Sequence, residues 1–205
     1  MDVAEAFARR RAIRDYDPGF VIDETVLRRL FELVKLAPSA MNLQPWEFIV
    51  VKSPEAKKKL RACANDQYQV ELASATVIVL ANTDMMAHFE PVYADLLAKG
   101  ATTPERVEGS RRYVHRFDDD LRYRELWATR NASLAAMAIM LAAQELDLDS
   151  GPMDGFSPDE LMKEFAVPPS FLPVMLVTLG RRAKEPPFGR AWRRGYDEMV
   201  HIDSF

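Results

Sequence analysis

The residues best equipped for chemistry in this chain are arginines and side-chain amides. One arginine group, Arg9, Arg10, Arg11 and Arg14, lies near the start, and a second, Arg190, Arg193 and Arg194, lies near the end. Arginine offers a permanent charge and a rigid fork of donors, so such groups are candidates for gripping phosphate. From charge alone, a solvated basic face is the commoner outcome. Ser39, Asn42 and Gln44 occupy the stretch Pro38-Ser39-Ala40-Met41-Asn42-Leu43-Gln44-Pro45-Trp46, where small polar side chains stand between a helix and a strand. Ligand sites are often built on such rims. A third place is Gly151-Pro152-Met153-Asp154-Gly155, which reads as a turn whose glycines and proline specify a backbone path.

Several common catalytic patterns are missing. His88, His115 and His201 are far apart and the single cysteine, Cys63, has no partner, so no metal-ligand spacing occurs. The sequence contains no glycine-rich phosphate loop and no Gly-x-Ser-x-Gly elbow. An enzyme without a catalytic histidine, cysteine or metal can leave the hard chemistry to a bound organic cofactor.

The elements that must hold these residues follow from periodicity. Residues 2 to about 11 can form an amphipathic helix with Val3 and Phe7 on one face. Asp23 is a good N-cap for a helix in which Val26, Leu30, Leu33, Val34 and Ala37 recur at helical spacing, and Pro38 stops it. Pro45 and Trp46 launch a strand over 46–51 that reads as fully buried. Ser53-Pro54-Glu55 opens a basic surface helix. Ala75 to Ala81 is a β-branched apolar run that reads as a central strand. Residues 84 to about 126 look like a helical excursion, with one helix ended by Gly100. Trp127 to Leu146, rich in alanine and methionine, reads as a buried central helix. Ser157-Pro158-Asp159-Glu160 has the form of a capping box opening a helix over 158–166, and Pro173 to Leu179 reads as a third buried strand. The tail from Arg181 has prolines, a glycine and little helical periodicity, which suits an extended arm lying on a neighbouring subunit.

The chain has 205 residues, of which 48% are hydrophobic and 28% charged, which bounds it to one domain of 1–180 with an appended arm of 181–205. The formal net charge of −4 does not indicate general affinity for nucleic acid or membrane. No apolar segment reads as an obvious membrane span, and acidic Asp2 and Glu5 argue against a signal peptide. One cysteine cannot form an internal disulfide, which suits a reducing cytoplasm.

Taken in order, these motifs resemble the nitroreductase family of FMN-dependent oxidoreductases. The resemblance runs from Arg10-Arg11-Ala12-Ile13-Arg14, through Pro38-Ser39-Ala40-Met41-Asn42-Leu43-Gln44-Pro45-Trp46 and Gln67 to Ala73, to Gly151-Pro152-Met153-Asp154-Gly155-Phe156 and the basic tail. It implies an α+β fold, a three-layer α/β/α sandwich with a central mixed sheet, in an intertwined homodimer with an extended C-terminal arm. It implies that Arg10 and Arg11, with Arg193 and Arg194, hold the FMN phosphate near Ala12. Arg14 would sit by flavin N1 and O2, where a fixed positive charge stabilises the reduced ring. Pro38, Ser39, Ala40 and Asn42 would come from the second subunit. Gln67 would meet the ribityl chain or ring edge, and Pro152, Met153, Asp154 and Gly155 would line the ring, with a backbone N–H aimed at N5. Ala40, Met41 and Trp127 would lie near substrate. NAD(P)H would deliver hydride to the flavin, and a nitroaromatic, a quinone or a similar small oxidant would then take the electrons. The alternative is a non-catalytic flavin- or nucleotide-binding sensor on the same scaffold. Ala12 stands where many relatives have serine, and Asp154 replaces the glutamate of some.

Overall fold

The structure is a computed structural model that describes residues 1–186 and 188–205. The chain order is α1 (Val3–Arg9), α2 (Glu24–Val34), β1 (Trp46–Val51), α3 (Pro54–Cys63), α4 (Gln69–Leu72), β2 (Ala75–Asn82), α5 (Phe89–Ala98), α6 (Pro104–His115), α7 (Leu121–Glu145), β3 (Asp149–Met153), α8 (Pro158–Glu164), β4 (Phe171–Gly180) and α9 (Tyr196–Met199). The sheet order is β1-β2-β4-β3. All three ladders among the described residues are antiparallel, so the mixed sheet expected from the sequence is not what one chain forms. Two helices cap as their local sequence dictates. Asp23 Oδ1 accepts the Thr25 N–H, and Ser53 Oγ accepts the Ala56 N–H ahead of Pro54.

Strand alternation divides the core into two layers. Val77, Val79, Ala81, Val177 and Leu179 face α2 and α7, and the cluster continues to Phe89 and Val107 of α5 and α6. Ile78, Leu80 and Leu176 face the other way, onto Leu60 of α3, Val70 of α4 and Leu161 of α8. The result is the expected three-layer arrangement. β2 is buried along its whole length. Its register against β4 shifts at Val79/Leu80, beside Pro173, which has no N–H to give to a ladder.

Three local expectations need correction. β1 is an edge strand and only its ends are buried, because one of its two backbone flanks has no partner strand here. Ser157 makes no side-chain cap; its N–H instead donates to the Cys63 carbonyl at 2.7 Å. Gly151 and Pro152 belong to a regular strand, β3, rather than to a turn.

α7 is the axis of the molecule. Its length and apolar composition would let it cross a membrane, yet over half of its most apolar stretch is buried inside the fold. It packs on β2, β3, β4 and α2 as a core helix, with Ala128, Ala132, Ala135, Ala136 and Ala143 wholly enclosed. Small side chains there let the backbone sit close to the sheet.

Candidate functional site

Two sets of sequence-singled residues come together, at different places. The first lies along β3, the sheet edge formed last in the strand order. The Ile13 N–H donates to the Ser150 carbonyl at 3.0 Å, so the segment carrying Ala12 and Arg14 runs beside β3. Gly151 makes this approach possible. A Cβ there would collide with the Ile13 carbonyl oxygen and lie 2.6 Å from Thr178 Oγ1. Tyr16 anchors the same segment: it is almost fully buried, and its hydroxyl lies 2.8 Å from Thr178 Oγ1. Burial pushes its phenol pKa well up, so it stays neutral and serves as a structural pin. Beyond Tyr16 the segment pairs with the start of the tail. The Ala183 N–H donates to the Asp15 carbonyl at 3.0 Å, and the Asp17 N–H donates to the Arg181 carbonyl at 2.9 Å.

The two arginine groups meet here. The Arg190 guanidinium donates to the Phe7, Ala8 and Arg10 carbonyls at 3.0, 2.9 and 2.9 Å. These are orphan acceptors at the C-terminal end of α1, where the helix dipole favours a cation. Arg11 returns the interaction, donating to the Phe188 and Gly189 carbonyls at 2.9 and 3.1 Å. Arg193 donates to the Ala191 and Trp192 carbonyls of its own tail. Burial lowers the pKa of half-buried Arg10, and the charges of Arg190, Arg193 and Arg11 lower it further. Among the described residues no carboxylate pairs with Arg10, Arg11, Arg14, Arg190, Arg193 or Arg194. Like charges gathered without counter-charge fit a multiply charged anion such as a phosphate monoester. A cleft of about 620 Å³ shares Arg11 with this group, but its Arg9 pairs with Asp147 and its Arg182 with Asp149.

Further along β3, Gln67 Nε2 donates to the Gly155 carbonyl at 2.7 Å, and Gln67 Oε1 accepts from Gln69. Asp154 and Gly155 are exposed; their carbonyls accept from Phe156 and Gln67, respectively. Met153 is placed otherwise: its side chain is buried in the lower core, so only its backbone faces outward chemistry.

The second set lies at the opposite edge, before β1. A 3₁₀ turn, Ala40–Asn42, follows Ser39. Ser39 Oγ accepts the Gln44 N–H at 2.9 Å, which leaves its hydroxyl hydrogen free to donate outward. Met41, Asn42 and Gln44 all have positive φ, at 56°, 56° and 46°. Such residues cost about 1 kcal/mol or more each and persist only when their surroundings hold them. Pro38, Ala40 and Asn42 are exposed. Trp127 is not: its indole is buried in the upper core beneath the loop, and its carbonyl accepts from Asn131.

One chain does not bring the two sets together. The loop is tied to α7 at Asn131, whereas α1 is tied to the other end of α7 through the Met1 amino group on Glu145 and Arg9 on Asp147. About 20 Å of helix separates these ties at 1.5 Å per residue. The sequence offers Arg190 as a member of the tail arginine group, without a role of its own, and does not single out Asn131 or His88 as loop supports. Asn131, a buried amide ahead of the alanine- and methionine-rich part of α7, is the available signal for the loop.

Comparison with known proteins identifies the family and the fold. The family model described as "Nitroreductase family" matches residues 7–181. YodC of Bacillus subtilis, which carries an NAD(P)H nitroreductase name, is 33% identical over 184 residues, covering 90% of each chain. The CLA biosynthesis enone reductase of Lactiplantibacillus plantarum is 30% identical over 193 residues, covering 90% of this chain and 88% of its own. A nitroreductase-type structure from Exiguobacterium sibiricum, solved in complex with FMN, superposes with a TM-score of 0.86 at 26% identity, covering 98% of this chain and 97% of its own. With its three-layer fold, its glycine-lined β3 edge and a family match spanning most of its length, the chain belongs to the nitroreductase family.

Proposed function

We propose that this chain is an FMN-dependent oxidoreductase that draws hydride from NAD(P)H and reduces a small oxidant such as a nitroaromatic or a quinone. The observation that carries this is the convergence of Arg10, Arg11, Arg190 and Arg193 from both chain ends with no carboxylate among them. FMN, when bound, supplies two-electron hydride chemistry that the side chains lack. Arg10 and Arg11, with Arg193 and Arg194, hold its phosphate beside Ala12, and Arg190 keeps the tail in place to do so. Arg14 presents a fixed positive charge to the pyrimidine edge of the ring, favouring the reduced anion. Gln67 serves the ribityl chain or ring edge. Pro152, Met153, Asp154 and Gly155 offer main chain, including an N–H toward N5.

The 38–44 loop is contributed by a second copy of the chain, and there Pro38, Ser39, Ala40 and Asn42 frame the flavin. Ala40 and Met41 border the substrate, and Trp127 backs them from the core. The unit 1–180 carries the fold and the arm 181–205 covers the second copy. Phe188, Trp192, Tyr196, Ile202 and Phe205 are all largely exposed in the single chain, an apolar display that a partner surface would bury. Donor and oxidant take turns over one face, so initial-rate plots are parallel, as in ping-pong kinetics. Protons come from water. Cys63, single and buried, suits the reducing cytoplasm.

The test is an absorbance spectrum of the purified protein followed by anaerobic NADH and NADPH titration. A yellow protein that bleaches and regains colour with a quinone or nitroaromatic supports the proposal. Colourless protein that fails to take up added FMN overturns it. Yellow protein that neither donor bleaches points instead to a non-catalytic sensor.

A further inference from the structure

The 38–44 loop poses a physical problem: three non-glycine residues in four positions have left-handed backbones. An isolated loop of this kind would relax to cheaper conformations. Something outside it must hold it. Ser39 Oγ closes the loop on itself, but both ends of that bond belong to the loop. Two bonds reach it from elsewhere. Asn131 Oδ1 accepts the Ala40 N–H at 2.7 Å, and His88 Nδ1 lies 3.1 Å from the Leu43 carbonyl.

Asn131 is the more firmly based of the two. It is 5% exposed, in the enclosed part of α7, and its Nδ2 donates to the Trp127 carbonyl at 2.7 Å. That second bond fixes the amide's orientation, so Oδ1 must face the loop. Ala132, Ala135 and Ala136 around it are fully buried, which keeps this stretch of helix fixed against the sheet. A buried amide is costly unless paired, and here both halves are paired.

We infer that Asn131 is a positioning residue for the reaction: it transfers the rigidity of the central helix to Ala40 and so sets where the strained rim stands over the flavin of the neighbouring subunit. This rests on the FMN proposal above. The residue acts through the loop and touches neither donor nor oxidant.

The test uses the FMN-loaded enzyme. Asn131→Leu removes both bonds from the core side. Ala40→Pro removes the N–H from the loop side without entering the core, and Ser39, with φ −144° and ψ 157°, has the extended backbone that a following proline requires. Each variant is expected to weaken FMN binding, read by flavin fluorescence, by roughly tenfold, the loss of about one hydrogen bond. Each should also raise KM for the oxidant more than it lowers kcat. The double variant should be no worse than the poorer single, because both remove the same bond. Asn131→Asp, which keeps the acceptor for Ala40, should recover part of the affinity. Variants with lowered Tm but unchanged FMN affinity and KM overturn the inference, as do independent, additive losses. If Asn131→Leu does not fold, Ala40→Pro with wild-type FMN affinity and KM overturns it alone. A wild-type protein that binds no FMN defeats the functional proposal instead, and is distinguished before any variant is made.

Discussion

The two edges of the sheet are built in opposite ways. On the β3 side the feature is charge: guanidinium groups from both ends of the chain gather at the end of α1, and Gly151 admits the neighbouring Ile13 backbone to the strand. Before β1 the means is backbone strain, with neutral amides and hydroxyls holding left-handed residues in place. Charge grips phosphate wherever the chain can bring it, whereas a ring edge needs exact placement of small dipoles. The edges lie far apart in one chain, so a ligand that meets both must meet two chains.

Four outcomes would break or sharpen this contrast. The largest effect is expected for Gly151→Val. Its Cβ has no room beside the Ile13 carbonyl, and overpacking against backbone costs about 3 kcal/mol. A thermal melt should show a large drop in Tm, with FMN content near zero. Arg10→Ala should leave Tm nearly unchanged and weaken FMN binding about 10- to 100-fold, since charge-assisted bonds to phosphate contribute about 1.5–3 kcal/mol. Equal losses of stability in the two variants would erase the distinction between scaffold and grip. Next comes complementation. A chain carrying Arg10→Ala co-expressed with one carrying Asn131→Leu should form mixed dimers in which one of two sites is intact, giving about half of wild-type activity per mixed dimer. Activity no higher than either parent would place both edges in a single-chain site. The smallest effect is expected for Gln67→Ala, which removes the 2.7 Å bond to Gly155. A loss of about 1 kcal/mol, or a five- to tenfold rise in FMN dissociation constant, should be measurable by fluorescence titration.

The β3 edge was largely legible in the sequence, and the β1 edge was not. Arginine runs and a Gly-Pro-Met-Asp-Gly segment announce themselves by residue type, and their order along the chain matched a family. The strained loop was located by its motif, but nothing local reveals that Met41 and Asn42 adopt positive φ, because neither is glycine. Asn131 looks like any polar interruption of a helix until tertiary structure puts Ala40 against it. The apolar run of β1 suggested full burial, yet whether a strand is central depends on how many partners the rest of the chain supplies. The same reason undid the mixed sheet: strand direction is a property of pairing, and all three pairings within one chain are antiparallel. Helix identity fared better, since capping and period are local. Even there, the Ser157 N–H went to Cys63 and its side chain capped nothing.

Arg190 closes the end of α1 with a side chain that lies 180 residues beyond Arg10. Until that distant segment is made and docked, the last carbonyls of the first helix have only water to accept from. If the tail arginines hold the FMN phosphate as proposed, a chain cut before Arg190 should fold its sheet and yet be colourless.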